Sequence, residues 1–519
     1  MKRTLALFSL AAIVASGAAF GQDQAGQNLT LEEAIVKALK NNLNVAVSVY
    51  GPEIADAGLG LARETFMPQL DLSYNSQRNE NPSYWWLQGE GTIWSKQNDY
   101  AATLTQRVPT GGSVSASLSN YMTDTNQSFQ SINPRYGSTL RLDITQPLLR
   151  NFGFKVARRE ILVAQNNLDI SRSQLRTTLQ DTLYQVQEAY WNLVYAIESN
   201  KVKQQSLQLA RDLLTKSRKE VEVGVLAPLE VLNAEAVVAQ READILQAEA
   251  LIRRSEDVLD SLVNLPEDEA GRRVRIVPAD KPVLTKREVS LESALSEALA
   301  RRPDLDAARK TIATSEVNFS VARNQMLPGL DLQLSYWSPG ISGDLIKYLD
   351  DNPFSGVVIG KEKGKSLDAL RDALKLLYNN WTIGLTLSLP LSNFLTRSQY
   401  AQAKLELGQN MARLKSQERQ VALDVSDAVR GLETDAKRVE AYRVSRELAE
   451  KRLDAEEKKL RVGLTTNYFV LQYQEELANA RSMEIKSLID YNLSWARFEK
   501  AVGASLDNHG IKVEDAGVR

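Results

Sequence analysis

The chain contains no cysteine and a single histidine, His509. Disulfides, thiolate metal sites, thiol nucleophiles and an acylated N-terminal cysteine anchor are therefore excluded. So is chemistry that needs two histidines. Glycine (27) and proline (15) fall below average use, about 7% and 5%, which leaves most of the 519 residues free for regular structure. Charge of one sign is also lacking. Charged residues make up 25%, yet the net charge is only −2. That balance offers no basic field for nucleic acid and argues against a wholly disordered chain. Only one long apolar run exists, from Leu5 to Phe20.

That run follows Lys2 and Arg3 and ends in small residues, Ser16 to Ala19. It reads as a secretory signal peptide over residues 1–22. A membrane anchor is the alternative, but the run falls short of a comfortable ~20-residue span. With no other run of that kind, the mature chain is expected in the periplasm, the outer membrane or the exterior.

What the chain does have is an internal repeat. Leu31-Glu32-Glu33-Ala34 recurs as Leu291-Glu292-Ser293-Ala294, and Met67-Pro68-Gln69-Leu70-Asp71-Leu72 as Leu327-Pro328-Gly329-Leu330-Asp331-Leu332, both 260 residues later. Gln146-Pro147-Leu148 recurs as Leu389-Pro390-Leu391, and Val223-Gly224-Val225 as Val462-Gly463-Leu464. The order is the same in both halves. The expected repeats are 23–265 and 291–503, joined by a linker over 266–290 and followed by a tail over 504–519.

Each half begins with a helix, Leu31 to Phe66 and Leu291 to Met326. Thr30 and Ser290 are the expected N-caps, with Glu33 completing a capping box. Strands follow, at about 68–148 and 329–390. Then come helical hairpins over 155–265 and 396–503, each with one very long arm. Apolar residues recur there at helical spacing, as in Leu175, Leu179, Val186, Ala189 and Leu193, with charged outer faces. At ~1.5 Å per residue the long arms reach ~100 Å, beyond any ordinary core, so a coiled-coil-like assembly is expected. The helix lengths also suggest that each half's last helix stacks end to end with the other half's first, beside a long arm.

The strands alternate. Leu70, Leu72 and Tyr74 face one way, and Asp71, Ser73 and Asn75 the other. The same holds for Leu140, Leu142, Ile144 and for Ile383, Leu385, Leu387. Strands of about ten residues with one apolar face match an outer-membrane barrel; a soluble sandwich alternates in the same way. Long polar loops are expected at 79–98, 124–136 and 338–379. The first half supplies four strands and the second two. Neither four strands nor all six can close a barrel, whose minimum is about eight, so copies of the chain must share one. Trp85, Trp86, Trp94, Trp337 and Trp381 cluster where interface girdles would be, with girdle placement expected for Trp337 and Trp381 and packing within an outer loop the alternative for Trp85 and Trp86.

On these residues, with Ala298-Leu299-Ala300-Arg301-Arg302-Pro303-Asp304-Leu305 and Glu188-Ala189-Tyr190-Trp191, the chain resembles the TolC-type outer-membrane efflux protein family over about 30–505. The resemblance implies an α+β membrane protein, a homotrimer whose strands form one β-barrel set in outer-membrane lipid. Its helices would form one long α-helical barrel extending into the periplasm. It implies a passive exit duct of a tripartite efflux or type I secretion system, docking to a periplasmic adaptor protein and an inner-membrane pump or ABC exporter. No cofactor and no nucleic acid are implied. The family's usual protomer gives four strands, hence twelve. An extra hairpin at about 99–123 would give eighteen, or would fold outside the barrel wall.

In the family, the glycine turns are the periplasmic tips that contact the adaptor. By that resemblance the tips here are Val223, Gly224, Val225, Val462, Gly463, Leu464 and Thr465; the plainer alternative is that they only cap helices. The family's best-known member lines its entrance with acids. Here an acid remains at Glu230, but Phe469 and Gln472 stand where that member has its later acids, and Leu460 and Thr465 where it has a Tyr and an Arg. Glu230, Phe469 and Gln472 are the candidate gate, with closure expected to be more apolar and less cation-attracting.

Two other classes compete. A pore-less coiled-coil surface or adhesin-like protein would share the heptads but gives no reason for duplicated strands. A periplasmic enzyme finds little support. Asp268, Glu269, Glu456 and Glu457 sit in charged runs, His509 reads as a solvated tail residue, and no catalytic set stands out.

Overall fold

The structure is a computed structural model that describes residues 27–84, 91–266, 275–285 and 287–511. The expected signal peptide, Trp85, Trp86, Asp268 and Glu269 lie outside the described residues. The chain divides into two compact units, and each draws on both halves of the sequence: 1–49, 176–302 and 421–519 form one, 50–175 and 303–420 the other.

The second unit is built on an antiparallel sheet. Its strands are β2 (Gln69–Pro82), β3 (Thr92–Arg107), β4 (Ser113–Thr125), β5 (Ile132–Pro147), β7 (Gly329–Tyr348) and β9 (Asn380–Ser388), paired in that order. A short β8 (Val358–Glu362) pairs only with the end of β7. The expected extra hairpin, β3–β4, is part of this sheet. Because side chains alternate with period two, register sorts the sheet into two faces. Leu70, Leu104, Ala116, Leu142, Tyr336 and Trp381 line up across all six strands. One residue away, Asp71, Thr103, Ser117, Arg141, Trp337 and Asn380 form a row on the opposite face.

The strands run past the alternating segments, into residues expected as loops. β2 reaches Pro82, and β7 reaches Tyr348. Beyond Asn75 the side chains of β2 are polar on both faces, as in Ser76, which donates to Asn98 Oδ1 (2.7 Å). With both faces hydrated there is no alternation to read, but the ladder continues. The rest of the 338–379 region holds a helix, α8 (Ser366–Leu374), which buries Ala369 and Ala373. It packs so close to β7 that a Cβ on Gly340 would lie 2.1 Å from the Ala369 carbonyl oxygen.

Trp337 and Trp381 do not share a face. Trp381 stands on the apolar side opposite Tyr336. Trp337 is on the polar side, with the Arg141 guanidinium over its ring at 5.6 Å. Of these two, Trp381 alone fits a girdle role; Trp94 of β3, opposite Glu80, shares a face with Leu104 and so stands on the apolar side as well.

The helices are α1 (Leu31–Asn41), α2 (Leu43–Glu64), a short α3 (Phe154–Ala157), α4 (Arg159–Glu222), α5 (Pro228–Val263), α6 (Leu291–Arg301), α7 (Pro303–Gln325), α9 (Phe394–Arg461) and α10 (Asn467–Val502). α4 and α9 have 64 and 68 residues, and α5 and α10 have 36 each. No described helix is long and apolar enough to cross a membrane.

The first helix of each half is broken in two, against expectation. Asn42 ends α1 in an extended conformation, and its Oδ1 accepts from the Asn44 and Val45 amides, recapping the chain as α2. Arg302 is extended because Pro303 follows it. At the helix starts the Thr30–Glu33 capping box forms in both directions. Ser290 stands at the N-cap of α6, but its side chain makes no capping bond.

These breaks also correct the expected stacking. Asn42 Nδ2 donates to Leu262 O, and Asn264 Nδ2 to Asn41 O, so the end of α5 meets the break in its own half. A Cβ on Gly503, just past α10, would sit 3.3 Å from Arg301 and Arg302 backbone. Since α5 and α10 are equally long, lengths alone could not select the pairing.

The first unit's core centres on Tyr190 of α4, which is fully buried. Its hydroxyl lies 2.8 Å from Asp280 Oδ2 and 3.0 Å from Leu29 O, and accepts from the Asp280 amide (3.2 Å). Leu29 and the parallel pair β1 (Gln27–Leu29) and β6 (Ile276–Pro278) are thereby pinned to α4. Burial pushes the Tyr190 phenol well above its ordinary value, so it stays neutral.

Candidate functional site

Two hairpin turns, α4–α5 and α9–α10, carry the tip residues. Gly224 has φ +78° and Gly463 φ +76°, values that glycine adopts without the Cβ penalty. In each turn two backbone bonds close the helix end. Gly224 N donates to Val221 O (3.0 Å) and Val225 N to Glu220 O (2.9 Å). Gly463 N donates to Leu460 O (3.1 Å) and Leu464 N to Lys459 O (3.0 Å). Both are Schellman caps. Capping explains the glycines, but it does not explain their neighbours. Val223 is 73% exposed, Val225 77%, Val462 68% and Leu464 77%.

The turns lie at the same end of the unit. Asn467, at the start of α10 and only 1% exposed, donates from Nδ2 to Ser217 Oγ near the end of α4 (2.8 Å). Beneath the turns, Leu213, Leu214 and Ala234 pack with Leu453, Val470 and Leu471.

Deeper still, Arg241 of α5 is buried. It donates to Ser206 O (2.6 Å), Gln474 Oε1 (3.3 Å) and Leu471 O (3.1 Å), joining α4, α5 and α10. Burial pulls its pKa below the ordinary arginine value, opposed by the carboxylates of Glu475 and Asp244. It remains a cation, because arginine starts so high.

The second turn has a clasp that the first lacks. Thr465 Oγ1 donates to Glu456 Oε1 (2.5 Å), and Lys459 Nζ contacts Glu456 Oε2 at 3.0 Å. Glu456 is 8% exposed, so it is not the solvated helix-face residue expected from its charged run. Thr465 and Lys459 hold its carboxyl below the usual range. A carboxylate with a lowered folded pKa stabilises above the unfolded value, ~4.3, and that contribution is lost as pH falls through the folded one. The stability difference between the protein and its Thr465→Val variant should therefore shrink below about pH 4. Thermal melts over a pH series would read it; a difference independent of pH would remove Glu456 as the partner.

The candidate gate residues follow at the starts of α5 and α10, Glu230 and Phe469 on the first turns and Gln472 on the second. Glu230 is half-buried, with Oε2 out of solvent and without a hydrogen-bond partner. Phe469 is 45% exposed, edge-on to Tyr468 at 5.5 Å. Gln472 is exposed and donates to Glu476 Oε1 (3.4 Å). These residues share one end of the unit, but no bond joins the three. His509 is not a solvated tail residue. It is half-buried, with its Nε2 3.0 Å from Gln187 Nε2.

Sequence reading missed Arg241, Asn467 and Glu456. Each acts through partners on another helix or across a turn, and periodicity carries no signal of that.

The profile of the family described as outer membrane efflux protein matches residues 123–265 and 294–504. The outer membrane efflux protein BepC of Brucella suis biovar 1 (strain 1330) is 24% identical over 506 residues, 97% of this chain and 91% of its own. In fold the chain is similar to a membrane protein from Pseudomonas aeruginosa (TM-score 0.65, 16% identity, 91% of this chain and 93% of the other). It is also similar to the CmeC outer membrane channel of Campylobacter jejuni (TM-score 0.63, 15% identity, 98% of each chain). The profile spans both halves, including the long helical hairpins and their exposed tips, and with that span the chain belongs to the outer membrane efflux protein family, a family of export channels and not of enzymes.

Proposed function

We propose that three copies of this chain assemble into the exit duct of a tripartite export system, with one shared β-barrel in the outer membrane and a tunnel of helices in the periplasm. Each repeat, 23–265 and 291–503, contributes strands and one helical hairpin. The observation that carries the reading is the sheet. It is apolar on one face and polar on the other, and it is unpaired at β2 and at β9. In hydrocarbon an open edge leaves backbone groups without partners, so the sheet must close, and in a shared barrel it closes on copies of itself. Helix α2 supports the same assembly. Leu43, Val47, Tyr50, Ile54 and Leu61 are each more than 60% exposed and fall at heptad spacing, as expected of a seam that awaits another helix.

Passage is passive, since nothing in the reading supplies energy; an inner-membrane pump or ABC exporter does so, coupled through a periplasmic adaptor. The tips Val223, Gly224, Val225, Val462, Gly463, Leu464 and Thr465 are the adaptor surface. Glu230, Phe469 and Gln472 line the closed entrance. Around a threefold axis Phe469 repeats as an apolar ring, which holds back ions by dewetting and not by charge. Phe469→Ala is expected to raise resting single-channel conductance in planar bilayers several-fold and to leave cation preference small. Unchanged conductance would remove Phe469 from the gate. The reading as a whole is tested by deleting the gene and restoring export with the wild-type chain.

A further inference from the structure

We propose that the shared barrel has eighteen strands, six from each copy, and that β2 of one copy pairs with β9 of the next. This rests on the threefold duct proposed above. Its own basis is the β3–β4 hairpin. β3 pairs with β2 from Thr92 to Thr105, and β4 pairs with β5 from Arg135 to Thr145. The hairpin thus stands between β2 and β5, and neither strand can leave without breaking a ladder on each side.

Its side chains continue the faces of the wall. On the apolar face, Leu104 sits between Leu70 and Ala116, and Leu118 between Ala102 and Leu140. Leu104 is 46% exposed and Val114 40%, so no other part of the chain covers them. On the polar face the hairpin presents Thr103, Thr105, Ser115 and Ser117, in rows with Asp71, Gln69, Asp143 and Arg141. A hairpin folded outside the wall would have no reason to match both faces row by row. A water-filled lumen and a lipid exterior require it.

The edges suit one occupant, a second copy. All five junctions between the six strands are antiparallel, so β2 and β9 run in opposite directions. Placing β9 beside the β2 of another copy therefore keeps the alternation through every junction of the ring. The apolar row ends at Leu70 on one edge and Trp381 on the other, 61% and 69% exposed, ready to continue into the neighbour. Barrel diameter grows roughly linearly with strand number. Six strands per copy make the lumen at the membrane about half again as wide as four would. The added wall carries small hydroxyl side chains at Thr103, Thr105, Ser115 and Ser117, with one acid and one base, Asp99 and Arg107, toward its two ends.

The absence of cysteine permits a direct test. Single cysteines are introduced as Thr103→Cys, Leu104→Cys, Leu118→Cys and Ile383→Cys, labelled with an environment-sensitive fluorophore, and the full-length protein is reconstituted with brominated phospholipid. Expected is at least twofold stronger quenching at 104, 118 and 383 than at 103. Quenching at 383 with none at 104 and 118 would put the hairpin outside the wall and overturn the eighteen-strand barrel, leaving a twelve-strand duct intact. No quenching at 383 either would overturn the barrel reading itself. A cryo-EM strand count of eighteen or twelve in a threefold particle gives the same decision without substitutions.

Discussion

Leu385→Arg should cut the amount of assembled protein in the outer membrane at least tenfold, while Thr386→Arg, one residue along the same strand, should leave it within twofold. Leu385 lies on the apolar face of β9, is 64% exposed, and pairs with Leu332. In a barrel wall its exposure is to lipid. Arginine there costs ~2–4 kcal/mol per chain near the bilayer midplane. Three copies bring the cost to roughly 6–12 kcal/mol, comparable to the total stability of an ordinary folded domain. Thr386 faces the polar side and pairs with Asp331, so an arginine gains water and a carboxylate neighbour. Quantitative blotting of outer-membrane fractions, with and without heating to dissociate the trimer, measures both. Equal loss in the two variants would mean that the faces do not separate lipid from water.

The second large effect is at the tips. Val223→Glu combined with Leu464→Glu should reduce export to the level of a strain lacking the protein, with outer-membrane abundance unchanged. These side chains are 73% and 77% exposed, and their turns are held by backbone bonds that the substitutions do not touch. Folding should therefore survive. Burying an aliphatic side chain of this size contributes ~1.5–3 kcal/mol. Losing two such contacts per chain is worth roughly 3–6 kcal/mol, about two to four powers of ten in adaptor affinity. Accumulation of an exported compound, or of secreted cargo, reads the outcome. Normal export by the double variant would place the adaptor surface elsewhere on the chain.

Much of this was legible in the residues because two periods dominate the chain. Leu70, Leu72, Tyr74 and Ile383, Leu385, Leu387 alternate because a sheet with one apolar and one polar face enforces period two. Leu175, Leu179 and Val186 mark a helix because a packed stripe enforces period 3.6. The glycine turns were visible as punctuation. What was not legible lacks such an asymmetry. Beyond Ser76 both faces of β2 are polar, so strand and loop look alike. Asn42 breaks a helix through its own side chain, and in a helical pattern it is one polar residue among many. Trp337 was misplaced because an aromatic does not reveal which face it serves; its register with Arg141 does. Glu456 looked like one more surface charge until the turn brought Thr465 against it.

The central claim, an exit duct built from three copies, is tested most directly by imaging the detergent-purified protein in negative stain together with a mass measurement. The account predicts a hollow particle of threefold symmetry and three-chain mass, more than ~100 Å long given the 64 and 68 residues of α4 and α9 at ~1.5 Å each, with a detergent belt at one end. A soluble monomer, or a solid fibre with no belt, would contradict it and favour a coiled-coil surface protein.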